Sequence, residues 1–199
     1  MTDFTQRSDP HLEQWLAHAQ TQPELPADLP AWLQGFASDC REVDIHQYLN
    51  DSARIVPEAD EHGRPPRYSA VLILLSGDTT FSSPAGASGR KAIPADATML
   101  LTHRAPTMRN HSGQVAFPGG RVEEADAGPV ETALREAEEE TGLDPATVEP
   151  FAVLQPIYID RSNFAVVPVV AWWRTPHAVS CPTTENDWVE PYPLGELVN

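Results

Sequence analysis

Little in this 199-residue chain is basic: 13 Lys and Arg stand against 29 Asp and Glu, a formal charge of −16. That balance excludes a nucleic-acid or anionic-membrane surface. Cysteine is scarce too. Cys40 and Cys181 lie far apart without metal-ligand spacing, which excludes a disulfide framework and predicts reduced, structural thiols of the cytoplasmic kind. No apolar run approaches the length of a membrane span, and the opening MTDFTQRSDP has neither the basic start nor the apolar run of a secretory signal. No internal repeat is present, and no loop alternates Asp and Asn around a central Gly as an EF-hand does. What remains is 41% hydrophobic and long enough to bury a core, so one ordinary soluble domain is expected, with room for an appendage.

What the chain does have is a concentration of carboxylate between Gly119 and Leu143, GGRVEEADAGPVETALREAEEETGL. Pro129 suits a first helical position and Gly142 a stop just past the end, which predicts a short helix between them. Val130, Ala133, Leu134, Ala137 and Thr141 recur at three- and four-residue steps and give it one narrow packing stripe. Glu136, Glu139 and Glu140 converge beside that stripe, where like charges repel and the helix C-terminus favours cations instead. No Lys or Arg follows within a turn. A glutamate run is ordinarily a solvated face. Here the repulsion is concentrated next to the packing stripe, and a hard divalent cation would convert it into coordination, because Mg²⁺ takes carboxylate oxygens together with substrate phosphates.

Around this stretch the chain reads as a mixed α/β fold. Residues 1–66 form a partly helical extension, with helices expected over His11–His18 and Leu29–Phe36 and a Pro-containing linker over Glu58–Pro66; residues 67–199 form the main domain. Trp15, Trp32 and Phe36 are expected to pack on the core or on a partner chain, a homodimer being one such arrangement. Strands are expected over Tyr68–Leu75, Met99–His103, Val148–Tyr158 and Phe164–Arg174, with a loop over Phe81–Ala97 and a turn at Pro118-Gly119-Gly120 whose glycines let the backbone approach a phosphate or a metal. Pro168 suggests an edge strand or a bulge. The acidic net charge opposes an anionic substrate at long range, so bound metal and local cations are needed; Arg90, Lys91, Arg104, Arg109 and Arg121 precede the acidic helix.

Gly120, Arg135, Glu136, Ala137, Glu139, Glu140, Gly142 and Leu143 resemble the Nudix box, G-x5-E-x7-R-E-U-x-E-E-x-G-U, with two departures: Asp126 stands at the first Glu, and eight residues separate it from Arg135. Those departures are similar to the coenzyme A pyrophosphatase branch of the family. So is the preceding LLTHRAPTMRNHSGQVAFPGG, which matches LLT-x-R-(S/A)-x3-R-x3-G-x3-FPGG at every fixed position from Leu100 to Gly120. A looser likeness covers TENDWVEPYPL, where Glu185 falls on the branch's first Glu while Asn186 and Trp188 depart.

The resemblance implies a Nudix α/β/α sandwich around a mixed sheet, and metal-dependent hydrolysis of the diphosphate of coenzyme A or its thioesters. The alternatives are another nucleoside diphosphate derivative such as ADP-ribose or a dinucleotide, or a non-catalytic nucleotide sensor. It implies Glu136, Glu139 and Glu140 as ligands of Mg²⁺ or Mn²⁺ with the Gly120 carbonyl, and Glu185 as a general base. Arg104, Arg109, His111 and Gln114 are the residues for substrate. Arg135 is implied as a structural brace, with Asp126 as its partner or Glu131 as the alternative. It also implies a second helix near the C-terminus. The chain ends at Leu197-Val198-Asn199, where such a helix would begin, so either it is cut short or the N-terminal extension compensates.

Overall fold

The computed structural model describes residues 9–49, 52–106 and 113–198. Three helices, α1 (Pro10–His18), α2 (Ala31–Glu42) and α3 (Pro129–Thr141), flank one eight-stranded mixed sheet. Its strands are β1 (Arg67–Ser76), β2 (Thr98–Arg104), β3 (Val115–Ala116), β4 (Gly119–Arg121), β5 (Val148–Val153), β6 (Ile157–Ile159), β7 (Phe164–Trp173) and β8 (Asn186–Pro193). No helix among the described residues is long and apolar enough to cross a membrane.

The two most apolar runs, β1 and β7, lie side by side in parallel from Arg67↔Phe164 to Leu75↔Trp172. Strands covered on both faces read as continuous apolar sequence, and these two are so covered. β2 and β4 pair antiparallel with the two ends of β1, β5 and β6 with the two ends of β7, and β8 runs antiparallel along the outer side of β2. β8 lies outside the strands expected from the sequence; its Pro191 and Pro193 are accommodated at the sheet edge, where a missing N–H costs no ladder bond.

Three expectations need correction. β7 is interior, not an edge. Its Pro168 carbonyl accepts from Leu154 N at 2.9 Å, so the missing N–H faces the break between β5 and β6, where no ladder bond is lost. That break also divides the single strand expected over Val148–Tyr158. Finally, Gly119 and Gly120 are strand rather than turn, pairing with Val71 and Ala70. A Cβ on Gly119 would lie 2.3 Å from the Ala70 carbonyl oxygen, so only glycine fits this register.

The segment before β1 supplies cover for both faces. On one face, Trp15 of α1 joins Ala133 and Ala137 of α3 over Leu72, Leu74, Val167 and Val169. On the other, Trp32, Leu33, Ala37 and Cys40 of α2 pack on Leu75, Phe151, Val170 and Trp172. α2 runs six residues further than the helix expected to end at Phe36, because Ala37 and Cys40 continue its buried side. Phe36 remains 44% exposed, edge-on to Phe151. Gln22 hydrogen-bonds both the N–H and the carbonyl of Val153, and Arg41 donates to the Pro23 and Phe151 carbonyls. The outer edge of β5 is thereby closed.

Leu33 is fully buried, so Leu33→Ala is expected to remove about 2–5 kcal/mol of unfolding free energy. Urea denaturation followed by circular dichroism measures this. An unmoved main transition would mean that α2 unfolds apart from the sheet.

Candidate active site

Helix α3 carries the acidic cluster and is set by its ends. Pro129 opens it, and Gly142, at φ 66, closes it by donating to the Glu138 carbonyl at 2.9 Å. Ala133 and Ala137 have no bulk, so the helix lies close against β1 and β4. The four glutamates at positions 136, 138, 139 and 140 then meet different surroundings. Glu138 and Glu139 are exposed, Glu136 is partly buried, and Glu140 retains only 7% exposure. The Gly119 N–H of β4 donates to Glu140 Oε2 at 3.1 Å. Burial pushes the Glu140 carboxyl up to about 7; the Gly119 N–H and the charge of Arg104 oppose the shift, while Glu136 and Glu185 add to it. Residues from α3, from β4, from the end of β2 and from the approach to β8 therefore act on one carboxylate.

Arg135 organises the outer part of the site. Its Nε and Nη2 donate to Asp126 Oδ1 and Oδ2 at 3.0 and 2.9 Å, and Nη2 also to the Arg121 carbonyl at 2.8 Å. Nη1 donates to Glu136 Oε1 at 3.1 Å and stands 3.5 Å from Glu139 Oε1. Glu131, the alternative partner, makes no ion pair with Arg135 among the described residues. Asp126 is 3% exposed. Burial alone would raise its carboxyl, but hydrogen bonds from Arg135, the Glu123 N–H and Thr132 outweigh burial and hold it below the ordinary range. Burial raises Glu136 as well, against the pull of Arg135.

At the end of β2, Arg104 N donates to the Gln114 carbonyl and Ala105 N to the Glu185 carbonyl. These bonds bring Glu185 beside Arg104, whose Nη2 lies 3.7 Å from Glu185 Oε2. Gln114 is exposed. Arg109 and His111 lie outside the described residues. Two members of the basic cluster expected before the helix find other partners: Arg90 donates to the Val198 carbonyl and Arg121 lies over the Phe164 ring. Of Arg90, Arg104 and Arg121, Arg104 is the one whose charge acts on Glu140.

Two features escaped the sequence reading. Thr132 bridges Asp126 to the indole of Trp15; its place one turn before Arg135 on the same helix was the available signal. Asn186, opposite Arg104 in the β2–β8 register, is 4% exposed, and among the described residues neither carboxamide atom has a hydrogen-bond partner; nor does Arg104 Nε. Asn186 had signalled itself only as a departure from a motif.

These residues fit a hard divalent cation in donor chemistry. The donors are carboxylate oxygens beside a glycine backbone, and Glu140 is buried with no ion pair of its own among the described residues. The Gly120 backbone lies against Glu136 so closely that a Cβ there would stand 2.3 Å from its carboxyl carbon. Among the described residues, however, no three His, Cys, Asp or Glu side chains already form a metal cage, since Glu136 and Glu139 each turn an oxygen toward Arg135.

Two outcomes are expected. Gly120→Ala collides with the movable end of a side chain, whereas Gly119→Ala collides with backbone at φ 158. Gly119→Ala should therefore lose more than about 1 kcal/mol in a urea melt, while Gly120→Ala should keep nearly native stability and lose Mn²⁺ affinity by calorimetry. The second outcome concerns pH. The unfolded chain gives up the Glu140 proton near 4.5 and the folded chain near 7, so metal-free stability is full below the first value and falls as pH rises through the second. The loss should approach about 3 kcal/mol by pH 8. Urea midpoints in chelator at pH 5 and pH 8 measure it, and Glu140→Gln should flatten the slope.

Known proteins resemble this chain. The NUDIX domain family matches residues 88–190, just over half of the chain. NudL of Escherichia coli strain SMS-3-5, named an uncharacterized Nudix hydrolase, is 50% identical over 130 residues, or 65% of this chain and 59% of that protein. Chloroplastic Nudix hydrolase 22 of Arabidopsis thaliana is 37% identical over 107 residues, 54% of this chain and 30% of its own. The crystal structure of RenU, a Nudix hydrolase from M. smegmatis, superimposes with a TM-score of 0.48 at 22% identity, covering 66% of this chain and 75% of that one. The chain spans about three fifths of the length of the NudL relatives it matches. On the strength of the domain match and the box geometry together, the chain belongs to the Nudix family.

Proposed function

We propose that this chain hydrolyses the diphosphate of coenzyme A or its thioesters in a reaction dependent on Mg²⁺ or Mn²⁺. The products are 4′-phosphopantetheine, or its acyl form, and adenosine 3′,5′-bisphosphate. One observation carries the reading: the two motif segments fold onto a single carboxylate, with Gly119 donating to Glu140 and Arg104 acting on it from the end of β2. The unusual Asp126 is accommodated in the same arrangement, engaged by Arg135 through two donors.

Glu136, Glu139, Glu140 and the Gly120 carbonyl are the groups that would hold the cation. When bound, it neutralises charge on the diphosphate and makes water more acidic. Glu185, exposed and beside Arg104, takes the proton of the attacking water. The water oxygen bonds to phosphorus, the bridging P–O bond breaks, and the leaving phosphate keeps the electron pair. Arg104, whose Nε has no partner among the described residues, offers donors whose fork suits phosphate oxygens. Arg109, His111 and Gln114 complete the substrate side of the proposal.

Purified protein incubated with coenzyme A, dephospho-coenzyme A and ADP-ribose, with and without Mg²⁺ or Mn²⁺, should release adenosine 3′,5′-bisphosphate from the first only with metal. Turnover of ADP-ribose alone would retain the chemistry and discard coenzyme A. Silence on all three would favour the nucleotide-sensing alternative. Glu185→Gln should lower kcat roughly 10²–10⁴-fold, as removal of a general base does.

A further inference from the structure

We propose that helix α1 is a working part of the active site, with Trp15 as a positioning residue that acts through Thr132 and Asp126 on Arg135 and so fixes the Glu136 carboxylate. The proposal rests on the reading of α3 as a metal-binding helix. Its basis is an unbroken run of hydrogen bonds through the interior. Trp15 Nε1 donates to Thr132 Oγ1 at 2.9 Å, and Thr132 Oγ1 donates to Asp126 Oδ2 at 2.9 Å. Asp126 then takes two donors of Arg135, whose remaining arm reaches Glu136 at 3.1 Å. Trp15 and Thr132 are fully buried, so water does not substitute for a missing member.

The run has a fixed direction. An indole N–H can only donate, and a threonine hydroxyl has one proton. With its oxygen accepting from Trp15, that proton goes to Asp126 at 2.9 Å rather than to the Gly128 carbonyl at 3.3 Å. The second hold is independent: His11 Nε2, also on α1, donates to the Asp126 backbone carbonyl at 2.9 Å. Helix α1 thus grips Asp126 by its main chain and, through Thr132, by its side chain. Asp126 in turn settles where the guanidinium sits, and the free Nη1 settles where Glu136 and Glu139 rest. Apolar packing accounts for the burial of the Trp15 ring, and the bond to Thr132 ties its N–H to the acidic helix. The two α1 members, His11 and Trp15, lie before position 88, where the family match begins, while Asp126, Thr132 and Arg135 lie within it.

The test is Mn²⁺ affinity, measured by calorimetry on the full chain, of Trp15→Phe, Thr132→Val, the double variant and Thr132→Ser. Phe keeps the ring without the N–H, and Val keeps the shape of Thr without the hydroxyl. Outer groups that orient metal ligands change affinity by roughly 10–100-fold, so a loss of about 10-fold is expected for Thr132→Val and somewhat less for Trp15→Phe. The double variant should be no weaker than Thr132→Val, because both remove one pathway, and Thr132→Ser should recover most of the affinity. Folded variants with unchanged Mn²⁺ affinity and only a lower Tm would overturn the proposal and leave Trp15 a packing residue. Wild-type protein that binds no Mn²⁺ would overturn both this role and the metal centre, whereas wild-type binding with unmoved variants overturns this role alone.

Discussion

Arg135 reaches Asp126 through two donors and Glu136 through a third, and because Asp126 is out of water the pairing is demanding to lose. Removing one partner of a buried ion pair leaves the other charge uncompensated, at a typical cost of about 3–5 kcal/mol. The geometry of the acidic helix follows from meeting that demand. Asp126 is gripped by the Glu123 N–H and Thr132 as well as by Arg135, so the guanidinium has one orientation, and its free edge faces the glutamates. Pairing with Asp126 therefore does two things: it satisfies a buried charge, and it aims a cation at the edge of a cluster that would otherwise repel itself.

Among the described residues Glu140 receives no such partner. It accepts one backbone N–H from Gly119 and feels Arg104 only at a distance. The close approach of β4 to β1 places that N–H, and the approach is possible because Gly119 has no side chain to meet Ala70. A constraint on strand packing thereby becomes a constraint on the site: the same glycine that lets β4 lie in the sheet presents its amide to the carboxylate on the helix above.

Much of this was legible in the sequence, and the limits have physical reasons. Pro129 and Gly142 bracketed α3 because helix ends carry local chemistry, and β1 and β7 showed themselves as β-branched apolar runs. The pairing of Arg135 with Asp126 was one of two open choices, decided only by the turn that carries Asp126 under the helix. Glu139 and Glu140 are identical in sequence terms, and their opposite exposure follows from which side of α3 faces β4. Pro168 misled because a proline in an interior strand is tolerated where two neighbouring strands meet end to end. Thr132 and Trp15 are joined across 117 positions, and a contact of that range leaves no periodic trace. Asn186 is hidden for a related reason: its partner across the register, Arg104, follows a bulge in the β2–β8 pairing.

The charge balance of the site argues for a cation more strongly than any one residue does. Among the described residues, Asp126, Glu136, Glu139, Glu140 and Glu185 face two guanidiniums, those of Arg104 and Arg135. Arg135 is largely committed to Asp126, and Arg104 lies by Glu185, so the glutamate cluster keeps most of its negative charge. In a chain of formal charge −16, the rest of the molecule cannot relieve it, and an approaching diphosphate would add to it. A lysine in the helix's last turn would neutralise the cluster, but it would also remove the acceptors. Carboxylates that share one guanidinium arm beside a buried one, with a backbone glycine closing the other side, suit an oxygen-seeking divalent ion that can bind them and a phosphate at once. The fold restrains the repulsion by tying down Arg135 from both sides and leaves the remaining charge where such an ion would sit.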